Sequence, residues 1–468
     1  MCATKKTTIK IGTTHRFSNF DPRFATSKIN QSISELIHCK LFSYDRDSNL
    51  QRQVAKSDPK WRSELSFEIE INPDFKFNNG KKLKASDVAA TYNSTISNQI
   101  YPKNSELNNI KSVTYKNNII RFNLHKKDPF ILYKMDLGII PKDNITSEQI
   151  KIENTATCGP YYIKQQTLNT LVLEKNHHNN FNNIRNESIV FERQSKDKLV
   201  SGLEAGDYQL IIADLSNSDI QYIPQKKPGI KNFSYPSNST VYLGFNLRNK
   251  HLNKKNNRKS ISSLINKDEI ISLIFDNKAS RADQLFIKKS KFYSQPNIVG
   301  ASNKKEISIN KIVLNTNPEK ENILIAKAIA KDLKSKDISS SVKPIEWGQF
   351  KKDIMKNRID LWVLSINNIR SPKILYKLYH SSQIPPHGLN RSFYRNRNVD
   401  KLLDNLLSEV DLQKQVKIVD QIQNIIAEDQ PYFYLVHKYN NHLGSNKLRG
   451  FEVQSDNNLR SLKNSYIQ

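Results

Sequence analysis

Between Ser239 and Phe275 the chain changes its hydrophobic period. Val241, Leu243 and Phe245 alternate with Tyr242, Gly244 and Asn246, the period of two that buries one face of a strand. That strand is expected to end near Asn246. Leu247 to Asn256 carries no apolar period, and beyond it Ile261, Leu264, Ile265, Ile271, Ile274 and Phe275 recur at helical spacing. Asn266 followed by Glu269 has the spacing of a reciprocal N-cap, so a helix is expected to restart there. Further upstream, Phe67, Ile69 and Ile71 alternate with Glu68 and Glu70 until Asn72-Pro73-Asp74 breaks the strand. The turn Asn78-Asn79-Gly80-Lys81 follows, and Ser86 is the expected cap of a helix containing Val88, Ala89 and Tyr92. Towards the C-terminus Val416, Val419, Ile422, Ile425 and Ile426 form one face of a helix from Gln413 to Glu428, which Pro431 stops.

The chain has 468 residues, and at about 150 residues per domain this implies about three units. Its hydrophobic content of 37% is enough for globular cores. No run of about 18 apolar residues occurs, so no membrane-spanning helix is encoded. Met-Cys-Ala-Thr-Lys-Lys has no apolar core, and a secretory signal is expected to be missing or already removed. The net charge of +28 is spread over isolated pairs such as Lys126-Lys127, Lys254-Lys255 and Lys351-Lys352. Phosphate tracking needs blocks or stripes, so a solvated basic surface is expected and no nucleic acid partner.

Cys2, Cys39 and Cys158 have neither zinc-site spacing nor the density of a disulfide scaffold. Cys39 and Cys158 could pair only if the fold brings them together, and free buried thiols are the expected state. Cys2 is either the lipid-bearing residue of a bacterial lipoprotein or an incidental thiol near a frayed end. His177-His178 is the only histidine cluster, and neighbouring histidines point apart, so they read as solvated loop residues. Phosphate loops, zinc helices and nucleophile elbows are absent from the sequence. No enzyme, cofactor or metal is expected.

Several passages fall in one family's order. Phe77 to Ser94 is similar to a family motif ending in Asp-Val, with Lys84 where Thr is usual. Thr155-Ala156-Thr157-Cys158-Gly159-Pro160-Tyr161-Tyr162 is similar to a Gly-Thr-Gly-Pro-Tyr passage, with Thr157 and Cys158 in place of its Gly and Thr. Ile345 to Phe350 and Arg358 to Leu364 match a third passage. The longest match runs from Leu378-Tyr379-His380-Ser381-Ser382 through Pro385-Pro386-His387-Gly388-Leu389-Asn390-Arg391 and Val399-Asp400-Lys401-Leu402-Leu403 to Asp429-Gln430-Pro431-Tyr432. The chain closely resembles the extracellular solute-binding proteins of family 5, the peptide and nickel receptors of ABC importers.

That resemblance implies an α/β protein with the two-lobed periplasmic-binding-protein fold (type II, Venus-flytrap) and an extra α/β domain inserted in the N-terminal lobe. Lobe I is then expected at 1–43, 156–246 and 442–468, the insert at 44–155 and lobe II at 247–441. Asn246 becomes the expected hinge and Cys2 the expected lipid anchor. The lobes would close over a peptide or peptide-like solute and deliver it to ABC permease subunits, the receptor being a monomer in the periplasm or at the cell surface. A non-transport sensor or anionic-surface binder on the same fold is the alternative. Ligand contacts are expected from Phe24, Asn238, Trp347, Trp362, Asn367, Asn368, Arg370, Ser371 and Arg391, with the two tryptophans equally readable as core. Peptide-binding members place Asp before the proline corresponding to Pro372, where this chain has Ser371. A desolvated ammonium would lose its carboxylate there, so weaker α-amino recognition is expected, with Arg370 or Arg391 available to a ligand carboxylate.

Overall fold

Val241, Leu243 and Phe245 do alternate along a strand, but the strand begins well before them, spanning Ile230–Phe245. Both of its faces are covered from Thr240 onwards, so the alternation separates two buried environments rather than core from solvent. Val241, Leu243 and Phe245 enter an aliphatic core with Ile312, Leu314, Ile325, Ile329 and Val363. Tyr242 turns to the other side, where its ring meets Tyr432 at 5.0 Å. The computed structural model describes residues 7–179, 181, 184–295, 309 and 311–468, and Cys2 lies outside them.

The chain divides into two compact units, Met1–Tyr235 with Asn440–Gln468 and Pro236–Tyr439. In the first, strand Thr8–Thr13 lies parallel to Ser188–Arg193 and Leu210–Ile212. Thr170–Lys175 and Tyr161–Gln166 extend this sheet antiparallel. Ile9, Ile11, Leu171, Leu173, Ile189 and Phe191 form its core. The stretch between Cys39 and Cys158 builds a separate core around a four-stranded antiparallel sheet ordered Lys60–Ser63, Ser66–Glu70, Ile119–Leu124 and Ile110–Lys116. Phe67 and Phe122 stack there at 5.1 Å.

In the second unit Lys311–Thr316 lies parallel to both Ser339–Pro344 and Leu361–Ile366, and Leu361–Ile366 pairs antiparallel with Thr240 to Phe245. That pairing places Pro236 to Phe245 in the second unit, so the division falls before Asn246 rather than at it. Asn246 is fully buried, and its Nδ2 donates to Asn357 Oδ1 and Ile359 O, both at 2.8 Å. These bonds fasten the end of one strand to the entry of its neighbour. Asn246, the expected hinge, is thus tied to two neighbours within the second unit.

Two expected helix starts differ in detail. Asn266 does cap Lys267–Phe275, accepting from the Glu269 amide at 3.1 Å, but its own N–H donates to Asp332 and Glu269 pairs with Lys331. The helix expected to be capped by Ser86 spans Ala85–Ser97 with Lys84 at its N-cap. Asp87 accepts the Lys84 amide at 2.8 Å, the reciprocal half of a capping box, made from inside the first turn. The helix expected over 413–428 spans Leu412–Asp429.

Cys39 and Cys158 are joined in a disulfide, not free thiols. The residues flanking Cys158 bring it there. Asn78 exchanges hydrogen bonds with Thr157, and a side chain on Gly159 would stand 2.4 Å from the carbonyl carbon of Ile37. Gly159 thus allows the 157–159 segment to lie directly on the end of helix Lys28–Ile37, which Cys39 follows.

The disulfide closes a loop with a sequence separation of 119. Replacing Cys39 and Cys158 by Ala should lower unfolding free energy by about 2–4 kcal/mol, read as an earlier urea midpoint under non-reducing conditions. Acid should act independently of it. His38, His437 and His442 are buried, and desolvation pushes each from the ordinary 6.5 down to about 4. Between those values the unfolded chain takes up protons that the folded chain refuses, so stability falls as pH drops from 6.5 towards 4. The slope should be about 1.4 kcal/mol per pH unit for each histidine, and His442→Gln should make it shallower in urea titrations at pH 4.5 to 7.

Candidate functional site

In open α/β sheets ligands gather at the carboxyl ends of the parallel strands. The second unit has three such ends, at Thr316, Pro344 and Ile366, and the sequence places unusual residues after two of them. After Ile366 the chain turns through Asn367 and Asn368, both exposed, with Asn368 in the left-handed region at φ 57°. Asparagine tolerates that conformation better than most residues. The turn returns Ile369 to the sheet, where its amide donates to Asn238 O at 2.9 Å. Asn238 itself is 5% exposed. Arg370 and Ser371 follow, both half-buried, and Ser371 Oγ accepts from the Lys373 amide at 3.3 Å at the start of helix Lys373–Tyr379.

After Pro344, Trp347 opens helix Trp347–Met355 and is 41% exposed. Its indole stacks on Phe350 at 5.5 Å, and the Phe350 ring meets Trp362 edge-on at 6.2 Å. Trp362 in turn meets Tyr432 at 6.4 Å. The result is a line of aromatic rings running from solvent at Trp347 into the interior at Trp362. Trp362 is fully buried and packs directly over Gly244, so in this structure it is a core residue rather than a wall open to solute.

Arg391 completes the exposed end of this line, its guanidinium 4.9 Å from the Trp347 ring. No Asp or Glu among the described residues forms an ion pair with it. Its loop is held by Asn390, which is fully buried and whose Nδ2 donates to the carbonyls of Tyr379, His380 and Tyr394. Asn390 Oδ1 accepts from the Tyr394 amide and from Ser392 Oγ. One side chain thus fixes the backbone on both sides of Arg391. Asn390 was legible as part of an Asn-Arg motif, but its positioning role required the fold.

Phe24 belongs to the first unit, half-buried, with its ring 5.0 Å from Tyr101. Its neighbour Arg23 forms a fully buried ion pair with Asp21 and donates to Thr146 O and Glu148 O. The second unit therefore holds Asn238, Asn367, Asn368, Arg370 and Ser371 about the turn after Ile366, and Trp347 with Arg391 at the exposed end of the aromatic line, while Phe24 belongs to the first unit. His177 faces Glu187 at 3.4 Å and is well exposed. Among the described residues no cluster of His, Cys, Asp and Glu has metal-holding geometry.

An aromatic line that ends at an exposed indole and a guanidinium without an ion-pair partner among the described residues is equipped to hold a solute by contact. Several solved structures share this fold, including the unliganded open form of the murein tripeptide-binding protein MppA, 17% identical with a TM-score of 0.86 over 99% of this chain and 98% of that one. The oligopeptide-binding protein AppA of Bacillus subtilis, solved with a nonapeptide, has a TM-score of 0.66 at 22% identity over 99% of this chain and 100% of that one. Residues 49–385 match the sequence profile of the bacterial extracellular solute-binding proteins, family 5 Middle, and the chain belongs to that family. Among curated relatives, AppA of Bacillus subtilis is 23% identical over 96% of this chain and 89% of its own length. The glutathione-binding protein GsiB of Pectobacterium atrosepticum is 21% identical over 97% of this chain and 93% of its own.

The two tryptophans should separate cleanly by stability. Trp362→Ala should cost about 3–5 kcal/mol, whereas Trp347→Ala should stay within about 0.5 kcal/mol of the parent in urea denaturation. A large loss at Trp347 would mean that its ring is structural.

Proposed function

We propose that this chain captures peptides or peptide-like solutes for an ABC importer, and that Arg391, laid on Trp347, receives a carboxylate of the solute. The unpaired guanidinium carries this reading. A half-buried arginine without a carboxylate partner, flanked by an aromatic face and fixed by Asn390, is poised for a charge-assisted bidentate contact at little further ordering cost. The relatives named for oligopeptides and for glutathione are named for ligands that carry carboxylates. Ser371 stands where peptide-binding members have Asp, and its hydroxyl oxygen is already engaged by the Lys373 amide. Recognition of the solute's carboxylate accordingly outweighs recognition of its ammonium. Residence outside the cytoplasmic membrane, anchoring through Cys2 and action as a monomer with permease subunits belong to the same reading.

Titration calorimetry with one tripeptide, its N-acetyl form and its C-terminal amide tests this. Acetylation should change affinity less than about three-fold, while amidation of the peptide, or Arg391→Ala with the unmodified peptide, should weaken binding at least about ten-fold. A large loss on acetylation would overturn the assignment of charge recognition. A small solute retained through purification and seen by native mass spectrometry would supply the first ligand mass.

A further inference from the structure

A second cavity, of about 300 Å³, lies within the second unit; Tyr432, which meets Trp362, is in its wall, but none of the expected ligand contacts is. That volume is at the small end of ligand pockets. Leu285, Leu375 and Ile426 and the rings of Tyr379 and Phe433 give it an apolar and aromatic lining. Ser263, which is exposed, and Glu428, whose side chain is 46% exposed, bring its rim to the surface.

Three of the lining residues, Ser262, Gln284 and Gln423, are polar and at least nine-tenths buried, with exposures of 5%, 3% and 5%. Among the described residues the Ser262 Oγ and both Gln Oε1 atoms have no hydrogen-bond partner. The amide nitrogens are committed elsewhere, Gln284 Nε2 to Ser294 O at 2.6 Å and Gln423 Nε2 to Phe292 O at 2.9 Å. The free ends of both amides are therefore acceptors. Buried acceptors without donors are uncommon, and here they gather around one cavity.

The charges on the wall, by contrast, are matched. Lys259 pairs with Glu428 at 2.7 Å, Lys267 with Asp283 at 3.3 Å and Arg281 with Asp268 at 3.1 Å. Lys267 Nζ also donates to Ala282 O and sits 4.4 Å over the Phe433 ring. An ionic guest would lose hydration without finding an unpaired counter-charge. A neutral guest with donor groups would meet the rings directly and reach the free acceptors, which are themselves shielded, through a rotation of their side chains.

We propose that this cavity is a second binding site, for an uncharged aromatic molecule of one or two rings bearing N–H or O–H donors. Such a site sits on the same unit as the solute-recognition surface but does not depend on what that surface binds. The probe is 5-fluoroindole followed by fluorine NMR, with its N-methyl derivative as the donor-free control. Saturable binding is expected, weakened about ten-fold by N-methylation. Ala427→Trp and Ser263→Trp, which fill the cavity from two sides, should each abolish it, while Trp347→Ala should leave it unchanged; thermal melts establish that each variant is folded. Absence of saturable binding to the parent protein would overturn the proposal. So would equal binding of the N-methyl compound, or binding that survives both filling variants.

Discussion

Gly244 stands directly opposite Trp362 in the pairing of strands Ile230–Phe245 and Leu361–Ile366, and a side chain at Gly244 would lie 2.1 Å from the indole. The missing Cβ is what lets the largest buried side chain of the molecule lie flat across the neighbouring strand. The aromatic line follows from that placement. Trp362 supports Phe350, Phe350 supports Trp347, and Trp347 supports the Arg391 guanidinium. Dense packing transmits position along this line, so an interior void would be felt at the surface cation.

The same two strands show how one period of two can divide two kinds of core. Val241, Leu243, Phe245, Leu361 and Val363 share the aliphatic side. Tyr242, Gly244 and Trp362 share the aromatic side, where Tyr379 and Tyr432 close the cluster at 5.4 Å. The aliphatic side packs against helix Lys320–Lys334 through Ile325, Ile329 and Leu333. Tyrosine hydroxyls on the aromatic side keep hydrogen-bond partners, as between Tyr379 and Tyr434. Polar handles in this half of the unit allow a buried surface to hold both rings and acceptors, which an all-aliphatic core could not.

Alternating and helical periods were legible because they depend on neighbours in sequence. The strand at Ser66–Glu70, the Asn266 cap and the helix Leu412–Asp429 all lie where the pattern put them, within a residue or two. The helix start at Ala85 was misread because a cap can be made from either side of the boundary, and Asp87 made it from within. The two compact units divide ahead of the polar connector for a related reason. A polar connector marks where a strand ends, whereas a unit begins where pairing partners change, and Thr240 to Phe245 already pair inside the second unit.

The sequence by itself determined the family and several of its strands and helices, because each was written in local period or in motifs of fixed spacing. Tertiary structure decided which residues meet. It joined Cys39 to Cys158 across 119 positions, sent Trp362 to the interior while leaving Trp347 exposed, and left Arg391 without a carboxylate. Those outcomes depend on distances between segments far apart in the chain, and no local period carries that information.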